Sequence, residues 1–345
     1  MSIITIKKIA ELANVSTGTV DRIIHNRGQV AKVNVDKVNA IIKEYGYERN
    51  VLASTLTLNK KFHFAVFLPK YDNSDYWKSQ IAGIERAALE FGKFGVVLDY
   101  FFYNLNTTSF KKTLKKVLEF DCDGLLFAPI FYEESVCFLS KYENKDIPIV
   151  MIDSKIASDK EHAYVGQDAF QSGYLAGRLI SFAEKDQREV LIFNIAREIE
   201  NTSVYLQRIY GFYSFFKDHK ELLNFNFSEV TIKNSGMNEL NEAIFSGINN
   251  VFITNSRAHI VAKFLKEKNI TGIRIVGYDL LDDNIEYLNS GMIDFLINQR
   301  PEEQGYMGIN YLYKKIVLHE PVENTHHIPL EVILKENYFP TNKKG

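Results

Sequence analysis

The stretch TIKKIAELANVSTGTVDRII, residues 5–24, decides how the first part of the chain folds. Its apolar spacing predicts a helix over about Ile6–Ala13, with Ile9, Leu12 and Ala13 on one face. Asn14, Val15 and Ser16 read as a turn, and the Ser16 hydroxyl can cap the next helix by accepting a backbone N–H bond. That second helix begins at Thr17 with Val20, Ile23 and Ile24 as its buried stripe. Thr17, Gly18, Asp21 and Arg22 are left facing out. Two amphipathic helices joined by a short turn occur in many all-α proteins. A helix that opens on small and polar groups is also the shape that enters a DNA major groove. Both readings stand at this point.

Outward from there, Val35, Val38, Ile41 and Ile42 line a third helix over Val33–Tyr45, and Gly46 stops it. Three helices in so short a stretch make a small core of modest stability. The next segment, YERNVLASTLTLNKK, has a helical pattern but is too short to hold a helix alone in water. It reads as a linker that becomes helical when something holds it. From Phe62 onward, short apolar strands alternate with helical stretches. Strands are expected near 62–68, 96–102, 123–128, 147–152, 189–194, 227–232, 250–254, 273–277, 293–297 and 326–334. Alternation of this kind argues for parallel sheets covered on both faces. Ten strands suit two doubly wound α/β subdomains better than one sheet. The expected division is a helix-turn-helix head at 1–48, a linker at 49–61 and a two-lobed α/β domain at 62–345 with strand-end loops that suit a ligand.

Charge agrees with this division. The whole chain of 345 residues carries a net charge of −2, yet residues 1–61 hold ten Lys/Arg against five Asp/Glu and the rest 31 against 38. A basic head on an acidic body suits selective nucleic-acid contact through one end, although a solvated basic surface gives the same count. The N-terminus lacks a signal-peptide pattern and no apolar run is long enough to span a membrane, so a cytoplasmic location is expected. Cys122 and Cys137 have no metal spacing and read as thiols in a reducing compartment. No cofactor motif is present. There is no GxSxG, HExxH or GxxxxGK[ST], and His25, His259, His326 and His327 have no evident nucleophile or metal partner, so an enzyme is not expected.

Thr5–Leu56 resembles the DNA-binding head of the lactose/galactose repressor family. The likeness rests on Thr5, Ile9-Ala10, Ala13, Val15-Ser16, Thr19-Val20, Arg22, Val38, Gly46-Tyr47, Asn50, Ala53 and Leu56. The rest of the chain is similar to that family's effector domain, of periplasmic-binding-protein type. The resemblance implies a homodimeric regulator, a repressor, that grips double-stranded operator DNA under control of a small molecule. It implies that paired hinge helices carrying Asn50 and Ala53 insert Leu56 into the minor groove, where an apolar wedge unstacks a base step and bends the site. It assigns base reading to Thr17, Gly18 and Arg22; Arg22 can donate two bonds to a guanine. Gly18 is smaller than usual there and supplies no donor. Asp21 is unusual beside phosphates and either orients Arg22 or accepts from a cytosine amine. Thr5, Ser16, Thr19 and Asn26 are assigned to phosphates that set register.

The same resemblance assigns a sugar-type effector site to Asp72, Tyr76, Trp77, Asp153, Asn255, Asp279 and Gln299. Aromatic rings stack on a sugar face, and acids and amides bond its hydroxyls. Asp153 and Asp279 can instead cap helices after their strands, and Trp77 can be core. One position departs from the family pattern. Many sugar-responsive relatives have an arginine five residues before the Gly-aromatic pair, and here Leu206 stands there, before Gly211-Phe212. Arg208 is expected to support the fold or pair with an acid. Two further readings remain: an effector-dependent activator, and a solute-binding module that binds no operator.

Overall fold

The computed structural model describes residues 4–24, 28, 30–45, 60–71, 76–142, 145–157, 160, 162–182, 188–196, 202–222, 224–233 and 239–339. Two compact units divide the chain, Met1–Leu58 and Asn59–Gly345.

In the first unit, α1 spans Ile6–Ala13, α2 Thr17–Ile24 and α3 Lys32–Tyr45. Thr5 caps α1, its hydroxyl accepting from Lys8 N at 3.3 Å. Asn14 ends that helix in the left-handed region, with φ 53°, and returns its N–H to the Ala10 and Glu11 carbonyls. Ser16 caps α2 by accepting from Thr19 N at 3.1 Å. Ile4, Ile9, Ala10, Ala13, Val20, Ile23 and Val38 form the core, with Val35, Ile41 and Ile42 packed against it. Leu12 departs from the sequence reading: it is 43% exposed, and Ala10 takes its place in the core. The buried arc of α1 runs through residues 9, 10 and 13, which leaves position 12 on its far shoulder.

The second unit has two lobes, each a six-stranded sheet. Lobe 1 holds β1 Phe62–Pro69, β2 Val96–Tyr103, β3 Gly124–Phe127, β4 Ile149–Ile152, β5 Ala163–Gly166 and β11 Thr325–His327. Its order is β11-β5-β4-β3-β1-β2, parallel throughout. Lobe 2 holds β6 Arg188–Ala196, β7 Phe225–Lys233, β8 Asn250–Ile253, β9 Arg274–Tyr278, β10 Phe295–Asn298 and β12 Glu331–Ile333. Its order is β12-β10-β9-β8-β6-β7, and β12 alone runs antiparallel to its neighbour. The inner strands are apolar without alternation because both faces are covered. Phe64 through Leu68 are all fully buried.

Helices α4 Tyr76–Phe91, α5 Thr107–Glu119, α6 Tyr132–Tyr142 and α11 Pro301–Tyr313 cover lobe 1. Helices α7 Ala169–Ser181, α8 Thr202–Asp218, α9 Ala258–Glu267 and α10 Asp282–Asn289 cover lobe 2. The chain crosses between lobes three times: from β5 to α7, from β10 to α11, and from β11 to β12. Each lobe clamps the helix that arrives by a crossover with a pair of glycines. A Cβ on Gly83 of α4 would overlap the Glu302 carbonyl of α11, and one on Gly305 would overlap the Gln80 carbonyl. Gly173 of α7 and Gly211 of α8 meet the Arg208 and Phe170 carbonyls in the same way. These two close crossings fix where the crossover segments enter the cleft between the lobes.

Two strand assignments differ from the sequence reading. Ala163–Gly166 is a strand that the reading lacks, since four residues give no periodicity. The single strand expected at 326–334 is two short strands, β11 and β12, in different sheets. Pro329, which has no backbone N–H to give a ladder, lies between them.

Candidate functional site

In the head, the groups expected to meet DNA lie at the start of α2. Thr17, Gly18 and Arg22 are exposed, and Thr19 is half-buried with its N–H on Ser16. The Ser16 and Thr19 hydroxyls lie 2.9 Å apart. Arg22 folds back along its helix, Nε donating to the Gly18 carbonyl at 3.1 Å. A guanidinium at a helix surface is the group from which two parallel bonds to a base edge are made. Asn26, Asn50, Ala53 and Leu56 lie outside the described residues.

In the second unit, strand ends and crossovers bring side chains from both lobes together. Tyr76 and Trp77 open α4 and are buried, their rings edge to face at 5.3 Å. Asp153 directly follows β4 and Asp279 directly follows β9, both in left-handed backbone with φ of 67° and 65°. Burial, then the carboxylates of Asp153 and Asp279, push the Tyr76 hydroxyl well above its ordinary pKa. These three residues therefore share one electrostatic environment spanning both lobes.

Asp279 does not cap a helix. Its carboxylate accepts from Ser256 Oγ at 2.6 Å and from Gln299 Nε2 at 2.6 Å. Helix α10 starts at Asp282, and its N-cap residue is Leu281, which gives no side-chain cap. Burial raises the Asp279 pKa; the Ser256 hydrogen bond, the Arg208 charge and the Gln299 bonds oppose that rise. Gln299 lies in the second crossover. Its Oε1 accepts from Arg208 Nη2 at 2.7 Å and from Gln167 Nε2, which lies in the first crossover. Asn255 is tied within lobe 2, its Nδ2 donating to the Ile195 carbonyl at 2.9 Å. Asp72 lies outside the described residues.

Arg208 is the residue that sequence reasoning undervalued. It is 5% exposed, its guanidinium lies 3.9 Å from the Tyr278 ring centroid, and Nη1 donates to the Thr254 carbonyl at 2.6 Å. Among the described residues its Nε has no hydrogen-bond partner. Leu206, the position singled out from sequence, is 56% exposed. The signal was available in helical spacing. Gly211 marks the tightly packed face of α8, residue 208 lies about one turn earlier on that face, and residue 206 does not. Gln80, Gln167 and Gln304 were also missed, because nothing local marks a buried glutamine as different from a surface one.

The cluster offers a buried cation, two carboxylates, several amides and two aromatic rings within one wall set. Such a mixture can donate to and accept from neighbouring hydroxyls while stacking on an apolar face. A cavity of about 540 Å3 flanks the second crossover and shares Asp279 with this cluster; Ser79, Arg86, Asn298 and Arg300 also line it. Among the described residues no group of His, Cys, Asp and Glu is arranged to hold a metal ion, and no helix is long and apolar enough to cross a membrane.

Comparison with known proteins matches these two parts separately. Residues 5–50 match the model for bacterial regulatory proteins of the lacI family, and residues 64–319 match the periplasmic binding protein domain. The HTH-type transcriptional repressor PurR of Klebsiella pneumoniae is 30% identical over 186 residues, which is 54% of this chain and 52% of that one. The match thus spans about half the length of that curated relative. A Bacteroides fragilis structure assigned to the LacI transcriptional regulators has a TM-score of 0.74 at 28% identity, covering 81% of this chain and 98% of that one. GanP, a glucose-galactose binding protein from Geobacillus stearothermophilus, has a TM-score of 0.70 at 26% identity, covering 81% and 99%. The chain belongs to the periplasmic-binding-protein domain family and carries at its N-terminus a DNA-binding domain of the lacI family.

Proposed function

We propose that this protein is a sequence-specific transcriptional repressor whose hold on operator DNA is set by a small molecule bound between the two lobes. The observation that carries the reading is the joining of a lacI-type head to a two-lobed body whose two crossover residues, Gln167 and Gln299, bond to each other beside Arg208 and Asp279 of lobe 2. A body of this kind changes shape when a ligand favours one lobe arrangement, and a head attached to it turns that preference into DNA affinity.

In this reading Thr17, Gly18 and Arg22 read bases, while Thr5, Ser16, Thr19 and Asn26 hold phosphates. Asn50, Ala53 and Leu56 form the hinge, with Leu56 as the minor-groove wedge. The working form is a homodimer in the cytoplasm. Asp72, Tyr76, Trp77, Asp153, Asn255, Asp279 and Gln299, with Arg208 added, bind the effector. The favoured effector class is an uncharged carbohydrate. Arg208 and Asp279 offset one another's charge, and the amides around them suit hydroxyls. Likeness to a glucose-galactose binding protein supports the same class.

The test is selection of genomic DNA fragments by the full chain, followed by titration of the best fragment against salt. Sequence-selective binding that weakens steeply with salt is expected. Binding that is absent or indifferent to sequence would favour a solute-binding module instead.

A further inference from the structure

Gln304 lies in the first turns of α11 and is fully buried, as is Gln80 of α4 opposite it. These are positions at a close helix crossing, beside Gly305, where an apolar side chain would pack at no desolvation cost. A primary amide persists in such a place when its bonds are made; both polar atoms of Gln304 and the Gln80 Nε2 have partners, while Gln80 Oε1 has none among the described residues. Those bonds lead to the effector cleft. Gln304 Oε1 accepts from Asp153 N at 3.2 Å, and Gln304 Nε2 donates to the Gln299 carbonyl at 2.9 Å. Gln80 Nε2 donates to the Tyr76 hydroxyl at 3.0 Å and lies 3.5 Å from Gln304 Oε1.

The bond to Asp153 N has a particular consequence. Asp153 stands in the left-handed region, which a non-glycine residue holds only when its surroundings enforce it. Its N–H is anchored by Gln304, and its carbonyl accepts from the Tyr164 hydroxyl at 3.2 Å. On the other side of the same amide, Gln299 carries the bond to Asp279 of lobe 2.

We propose that Gln304 is a positioning residue for the effector site. It ties the turn that presents Asp153 in lobe 1 to the crossover residue that holds Asp279 in lobe 2. The spacing of the two ligand-facing aspartates is therefore set from beneath the cleft by a side chain that does not touch the ligand. The inference rests on the cleft being the effector site.

The test uses the full-length protein with Gln304→Met and Gln304→Glu. Exchange of the Asp153 amide is followed by hydrogen–deuterium exchange. Binding of D-glucose, D-galactose, D-allose and D-arabinose is followed by fluorescence of Trp77, the chain's single tryptophan. In Gln304→Met the Asp153 amide should exchange about tenfold faster, and affinity for whichever sugar binds the parent should fall about tenfold, the equivalent of losing one or two buried bonds. Gln304→Glu keeps an oxygen to accept from Asp153 N but loses the donation to Gln299. It should keep the amide protected and still lose affinity, so it carries the test if the methionine variant does not fold. Asp153 exchange within twofold of the parent in Gln304→Met overturns the proposal. So does parent-like sugar affinity in either variant. A parent that answers none of the four sugars contradicts the carbohydrate reading alone, and the exchange result then decides whether Gln304 holds Asp153.

Discussion

Arg208 in α8 and Gln299 in the second crossover meet at 2.7 Å, and through this bond lobe 2 grips the segment that leads back to lobe 1. The same glutamine donates to Asp279, so a buried charge pair is bridged by one amide rather than joined directly. Loss of one partner leaves the other desolvated and poorly matched. Arg208→Met should therefore cost about 3–5 kcal/mol of stability, the range for breaking a buried ion pair from one side. Leu206→Ala, at an exposed position, should stay within about 0.5 kcal/mol. Urea melts of the two variants check the contrast, and equal effects would place Arg208 outside the structural heart of the cleft.

Acid–base behaviour gives a second prediction. Burial makes folded Asp279 hold its proton to a higher pH than the same residue in the unfolded chain. Its contribution to stability is full below the ordinary unfolded carboxylate value and is lost as pH rises through the raised folded value. Asp279→Asn has no proton to lose, so unfolding free energy plotted against pH should be flatter across that window. Melts at stepped pH measure this; a variant with the parent's slope contradicts it. The same variant should lose ligand-induced thermal stabilisation.

The glycine crossings predict a third outcome. A methyl group at Gly173 meets backbone, the Arg208 carbonyl, and backbone cannot step aside as a flexible side chain can. Gly173→Ala should cost about 1–3 kcal/mol or more through overpacking and should also disturb Arg208. Gly92→Ala has open space around it and should change stability by no more than about 0.5 kcal/mol. Parent-like denaturation of Gly173→Ala would contradict the clamp.

In the head, Arg22→Ala should weaken binding to the preferred operator by about 1–3 kcal/mol and relax choice at one base pair. Ser16→Ala removes the cap on α2 and should cost the head about 0.5–2 kcal/mol. Neither should alter the body's response to sugar. Anisotropy titrations against a family of single-base operator variants separate a base contact from a phosphate contact, because losing a phosphate contact weakens all sequences alike.

The alternation of strands and helices is visible in the sequence because each inner strand is a continuous apolar run and each helix repeats near 3.6 residues. The head is legible for the same reason, down to the cap at Ser16, whereas the cap at Thr5 comes from the structure. What escaped was information held between distant segments. Pro329 separates two strands that join different sheets, which no local pattern announces. Arg208 matters because α8 is pressed against α7 at Gly211 and turns that face toward Gln299. Gln80 and Gln304 are 224 positions apart, and their meeting follows from the way α4 and α11 cross. Tyr76, Asp153, Asp279 and Gln299 were recognisable singly, whereas the glutamine bonds that hold them in one frame were not.

In the proposed mechanism, ligand and operator compete or cooperate through the body's two lobes. Linkage makes this directly measurable: a sugar that changes operator affinity by some factor must have its own affinity changed by the same factor when operator is present. The deciding measurement is a pair of titrations on the full-length protein, operator with and without saturating sugar, and sugar with and without saturating operator. Two equal factors are expected, each of about five or more. Sugar and operator that bind without affecting one another would contradict the mechanism.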